Sequence, residues 1–470
     1  MITKLLGRIY AFVVLALLFQ PTGVFTAFGA EPYLIDIVPG PNGSSPQHLA
    51  SVDGMLFLVA WDSDHGGELW KSDGTATGTI LVKDIFPGAQ GSSLGKLVNV
   101  DGTLFFVAND GVNGAELWKS DGTEGGTALV KDLSVGHSHF NELAAVGSTL
   151  FFVKDAGMFD DELWKSDGSG AGTVLLKRFG VSNWPNDLTA VNGTLFIMAD
   201  GDYLGDELWK SDGTTQGTVL VKDIVSDSGS SSPNGLTDVN GTLFFVAADA
   251  DHGRELWKSD GTESGTVFVK DIYPGTTSSS IVEMTNVNGT LFFSANDGTH
   301  GKELWKSDGT ETGTVMVKDI NPSVSSFPEH LTNVDGTLYF LANTNTYGWE
   351  LWKSDGTETG TELVKAVSSI WYMGEPDWLT GVGGILYFVG VDNEYGHELW
   401  MSDGSETGTH IVKDLFAGGA GAAVSWLTDV TGTLFFRADD GVHGSELFVL
   451  ADTSTPKKAM PWIPLLLHGD

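Results

Sequence analysis

Tryptophan beside carboxylate is the pairing in this chain most suited to recognition chemistry. Seven of the 15 tryptophans, Trp61, Trp184, Trp349, Trp371, Trp378, Trp426 and the tail residue Trp462, lie outside the main repeated motif. Glu375, Asp377 and Glu394 lie near some of them in the sequence. An indole ring stacks on a sugar or peptide face, and a carboxylate accepts hydrogen bonds from hydroxyls. Trp61, Trp349, Trp371, Trp378, Trp426, His330, Glu375, Asp377 and Glu394 are therefore the candidate ligand-binding residues. The competing reading is that the linker tryptophans only cap structural units.

Other patterns are weaker. Asp62-x-Asp64-x-Gly66-x-Glu68 and Asp249-x-Asp251-x-Gly253-x-Glu255 resemble the opening of a calcium loop, but the closing ligand at position 12 is missing. Asp62, Asp64, Asp249 and Asp251 are the calcium candidates, and no other cofactor is expected. Gly91-x-Ser93-x-Gly95 matches a nucleophile elbow but follows a strand in a linker with no helix after it. His137-x-His139 has no identifiable third ligand. Cysteine is absent, which excludes thiolate chemistry and disulfides. No catalytic residue is assigned. A carboxylate pair acting on polysaccharide stays open because Asp and Glu are everywhere.

The elements that would position these residues follow from a repeat. Glu-Leu-Trp begins at Glu68, Glu116, Glu162, Glu207, Glu255, Glu303, Glu350 and Glu398, and Glu446-Leu447-Phe448 ends the series. The spacings run from 45 to 48 residues. Each period carries four strand signals, here called A to D. An Asp-Gly or Asn-Gly turn joins A to B, the sequence of a tight hairpin. B holds Thr-Leu-Phe-Phe or a variant, C holds Glu-Leu-Trp, and Ser-Asp-Gly-Thr turns into D, as in Val82-Lys83-Asp84-Ile85. Four-stranded units at this period are propeller blades. The strand C tryptophans should pack between blades. The repeated Glu is expected to pair with the strand D Lys near the surface. The turn Asp should accept bonds from amides two residues on.

Tyr33-Leu34-Ile35-Asp36-Ile37 reads as a strand D that precedes any A, and the last repeat lacks a D. The two ends balance if the first D pairs with the last C. The expected fold is all-β: a single closed propeller of nine four-stranded antiparallel blades over residues 30–453, an unusually high blade number. The motif Glu-Leu-Trp-x-x-Asp-Gly-Thr resembles the ELWxxDGT repeat family of exported bacterial proteins, over residues 33 to about 450. Met401 for Lys, Ser169 and Ser405 for Thr, and Phe448 for Trp are the departures. The resemblance implies a propeller and no particular activity.

Composition bounds the partners. The formal charge is -36, from 25 Lys+Arg against 61 Asp+Glu, which disfavours nucleic acid and anionic lipid. Residues 1–29 read as a secretory signal peptide, with Lys4 and Arg8 before the apolar run Ile9–Phe19. Residues 454–470 form a Pro-broken tail too short for a membrane helix. The expectation is a secreted, periplasmic or envelope-associated module, non-enzymatic, that binds a glycan or protein through the face bearing the B–C loops and D–A linkers. A polysaccharide hydrolase or lyase and a purely structural envelope protein are the alternatives. The residue just before strand A should line the channel mouth: His48, Lys96, Glu142, Asp187, Gly235, Glu283, His330, Trp378 and Trp426.

Overall fold

Eight of the nine A–B hairpins turn on two residues of positive φ, as at Asp53 (49°) and Gly54 (79°) or Asn240 (51°) and Gly241 (83°). Asn and Asp tolerate the left-handed region and Gly enters it freely, so these dipeptides fix the strand register. Blade 1 is typical, with A at Gln47–Val52, B at Met55–Asp62, C at Gly66–Ser72 and D at Ile80–Lys83. The computed structural model describes residues 31–133, 139–155, 161–179, 185–201, 204–226, 229–344, 348–366, 379–392, 394–418 and 421–451. The predicted signal peptide, the tail, Trp184, Trp371, Glu375, Asp377, Trp378 and His137 lie outside the described residues.

Nine four-stranded antiparallel sheets, each in the order A-B-C-D, make up Glu31–Ala451. The ninth sheet takes its D strand from the other end of the chain. Tyr33, Leu34 and Ile35 pair with Val449, Phe448 and Leu447. Closure places Ile35 in one apolar cluster with Leu56 and Leu58 of blade 1 and Leu447 and Val449 of blade 9. It also leaves no open sheet edge at the join. Neighbouring A strands pack against each other around the ring, including the first against the last, so A is the innermost strand.

The blades stick together through strand C. Trp118 packs with Leu104 and Phe106 of its own blade against Phe57, Val59 and Leu69 of blade 1. Burying such an indole is worth about 2–3 kcal/mol. The C–D turn is self-bonded as expected. Asp73 Oδ1 accepts from the Thr75 amide at 2.9 Å and its hydroxyl at 2.7 Å, while the Ser72 and Thr79 hydroxyls bond each other at 2.7 Å. At Gly78 an added Cβ would fall on the Asp73 carboxylate, so the residue closing this turn has to be Gly. Lys71 Nζ donates to the Gly122 carbonyl in the next blade's turn at 2.8 Å. At the join, where Val449 stands in that Lys position, the Tyr33 hydroxyl donates to the Gly74 carbonyl instead.

The repeated glutamate corrects the expectation of a surface ion pair. Glu68, Glu207, Glu255, Glu303, Glu398 and Glu446 are fully buried. Strand C is in register so that Lys83 lies opposite Leu69, not Glu68. The glutamate turns toward its own D–A linker and gathers amides there. Glu207 accepts from Ile224 N, Val225 N and Ser231 N at 3.0–3.2 Å and from Ser231 Oγ at 2.6 Å. Ser326 and Ser44 do the same for Glu303 and Glu446. The strand D lysines reach the next blade instead. Lys131 donates to the Thr173 carbonyl at 2.7 Å and lies over the Trp164 ring at 5.6 Å.

Candidate functional site at the channel mouth

Strand A opens with a bulge. Its register with B slips between Gln47 and Ala50 in blade 1, and equivalently in blades 2, 4, 5, 6, 7 and 9. The second residue of the strand takes the slip in a left-handed conformation. These are His48 (53°), Lys96 (58°), Asp187 (62°), Gly235 (64°), Glu283 (60°), His330 (56°) and Trp426 (57°). The position read from sequence as preceding strand A is thus inside it. Left-handed backbone costs an L-residue about 1–2 kcal/mol, and Gly removes that cost. Only blade 5 uses Gly among these seven. The other side chains must do something a Gly cannot.

For three carboxylates that task is structural. Glu142, at the equivalent place in blade 3, accepts from the Asp187 and Leu188 amides of blade 4 at 3.1 and 3.0 Å. Asp187 accepts from the Leu236 amide of blade 5 at 3.2 Å, and Glu283 from the Leu331 amide of blade 7 at 3.4 Å. Each carboxylate spans to the next blade's strand A. Burial raises the Asp187 carboxyl above its usual range, its amide bonds oppose that, and Glu142 adds to the rise. Burial lowers His330, against a smaller upward pull from Glu283, and raises Glu329.

Blades 9, 1 and 2 differ. The rings of Trp426 and His48 sit 5.1 Å apart at 56°. With Leu49, Gly95, Lys96 and Leu97 they line a cleft of about 420 Å³. Trp426 and His48 are half-buried and Lys96 is exposed. Lys96 Nζ donates to the Asn141 carbonyl at 2.5 Å. No carboxylate lines this cleft, in a chain carrying 61 of them. Its volume falls in the range of about 300–1,000 Å³ usual for small-ligand sites.

The other described candidates lie elsewhere. Trp61 is the penultimate residue of strand B, 47 % exposed, with its ring over Gly67. Trp349 is the first residue of strand C in blade 7 and packs half-buried against the core shared by blades 7 and 8. Glu394 is exposed in the blade 8 B–C loop. Hence Trp61, Trp349 and Trp426 do not form one patch among the described residues. Of that set Trp426 lines a cleft, with His48 and Lys96. The loop aspartates offered for calcium are already engaged. Asp62 Oδ1 accepts from the Asp64 and His65 amides at 2.9 and 2.6 Å, and Oδ2 meets His65 Nδ1 at 2.7 Å. Asp249 holds Asp251 and His252 alike. Among the described residues no three metal-competent side chains converge.

No family model and no curated protein matches the chain. Solved structures do. A puromycin hydrolase is similar over 84 % of this chain and 58 % of its own, at 13 % identity and a TM-score of 0.40. Oligopeptidase B from Leishmania major is similar over 74 % and 53 %, at 11 % identity and a TM-score of 0.42. The β-propeller domain of the Trilobed protease from Pyrococcus furiosus is similar over 70 % and 98 %, at 11 % identity and a TM-score of 0.32. The chain spans little more than half the length of the first two.

Proposed function

We propose that this chain is an exported, non-enzymatic binding module of the ELWxxDGT kind, which holds a glycan at the channel mouth where blades 9, 1 and 2 meet. The observation that carries the reading is the Trp426–His48–Lys96 cleft, a stretch of the described mouth where bulge side chains line a cavity. A tilted aromatic pair with flanking Leu49 and Leu97 offers a sugar an apolar platform, and the imidazole and ammonium supply polar contacts. A non-catalytic role is favoured because Glu142, Asp187 and Glu283 are spent on backbone amides.

A protein ligand is the second reading. It draws support from exposed apolar side chains on the same three blades: Val442 at 65 %, Trp61 at 47 % and Val112 at 86 %. A glycan array separates the two. The proposal expects array binding that Trp426→Ala abolishes and Trp257→Ala, buried between blades, does not, at matched folding. An array blank for a protein that captures a polypeptide through Trp61 would replace the first reading with the second.

A further inference from the structure

Resting on that glycan reading, we infer that the saccharide is an acidic one, and that Lys96 contacts a carboxylate on a sugar ring seated against Trp426. Two independent observations point there. The first is what the cleft is made of. Its lining of His48, Leu49, Gly95, Lys96, Leu97 and Trp426 has two nitrogen bases and no acid. Elsewhere the mouth is acidic, through Glu142, Asp187 and Glu283. A site for a neutral glycan in a chain with 61 Asp and Glu would be expected to use carboxylates, the best acceptors for sugar hydroxyls.

The second is how Lys96 is held. Lys96 sits at φ 58°, where Gly235 occupies the same place in blade 5 without side chain. It is exposed, and among the described residues Nζ bonds one carbonyl, that of Asn141. An ammonium has three donors, so the contact with blade 3 leaves two for other acceptors. The chain's lysines in strand C and strand D make the same kind of contact to the next blade, but from other positions. Lys71, Lys210 and Lys306 reach turn carbonyls of the next blade, as do Lys131 and Lys222 from strand D. Those lysines lie at repeat positions and hold blades together; Lys96 lies at a position that varies around the ring.

The formal charge of -36 adds a selection by charge density. A densely sulfated polymer is repelled at range, whereas a glycan with isolated carboxylates is repelled little and gains the local contact with Lys96. The ligand class is therefore a glycan with a uronate or sialate residue, recognised one acidic ring at a time.

The test pairs each acid with its neutral twin. Oligosaccharides of galacturonate, glucuronate, mannuronate and guluronate, and a sialyl-oligosaccharide, are titrated into the full chain beside their methyl esters. At least one acid should bind ten-fold or more tightly than its ester. Lys96→Gln should bring that acid down to the level of the ester, and Lys96→Arg should restore most of the difference. Thermal melts equal to the parent keep a folding defect from imitating the result. Esters that bind as well as acids, or Lys96→Gln without effect, overturn the inference while leaving the glycan reading intact. Binding of neither set overturns the acidic inference. Array binding of any glycan that survives Trp426→Ala overturns the site itself.

Discussion

At the scale of single residues, the repeated glutamate is the main organiser of this molecule. Burial drives the carboxyls of Glu68, Glu255 and Glu398 up to about 7, with the linker hydroxyl or amide bonds opposing. Near neutral pH such a group is part carboxylate and part acid. A carboxamide of the same shape is then a fair substitute, while a methyl is not. Glu255→Ala leaves the Ile272 and Ser279 amides without their acceptor. That should cost about 1–3 kcal/mol for each amide so stranded. Glu255→Gln should cost less than half as much. Chemical denaturation midpoints check this, and equal losses for the two variants would count against it. The role was not legible in the sequence, because Ser279 lies 24 residues beyond Glu255 and periodicity within strand C says nothing of what a side chain bonds.

At the scale of elements, glutamate and linker work as a unit, and strands join in. In blade 3 the described partners of Glu162 come from the strands. There Lys154, buried, and Arg178 at 2.7 Å serve the carboxylate, and the Trp164 indole donates to it at 2.9 Å. In blade 7, Glu350 takes Thr344 and the Trp352 indole. Blade 8 offers a direct trial, since buried Ala422 follows Glu398 as Ser231 follows Glu207. Ala422→Ser should add the missing hydroxyl donor and stabilise by about 0.5–1.5 kcal/mol. A lower midpoint for that variant would show that the pocket is closed to the hydroxyl. The hairpin turns, by contrast, were legible, because Asp-Gly and Asn-Gly bring their own backbone preference. The start of strand C in blade 7 was not: Trp349 looks like a loop residue, and only the pairing of Asn343 with Trp349 brings it into the sheet.

For the whole molecule, charge and protonation push stability toward mild acid. Glu68, Glu255 and Glu398 bind protons more tightly folded, near 7, than at their ordinary 4.5. Their contribution is complete below 4.5 and is lost as pH rises through about 7. His65, His252, His300 and His443 are raised by the hydrogen bond to a loop aspartate and act in the same direction. The turn aspartates Asp121, Asp212, Asp260 and Asp308 are lowered by bonds from the following Thr. Their contribution holds above 3.8 and fades as pH falls below it. Melting should therefore be highest near pH 5 and lower at pH 8, the reverse order contradicting the assignment. The closed ring was legible, since a lone leading D and a missing final D can only balance by pairing. The cleft was not, because its lining comes from three blades, two of which join only when the first strand meets the last.

Hydrogen exchange with and without an array-selected glycan tests the central claim most directly. Slowed exchange should be confined to the starts of three A strands, residues 425–427, 47–49 and 95–97. Protection spread evenly around the ring, or centred on the A–B turns of the opposite face, would contradict the account.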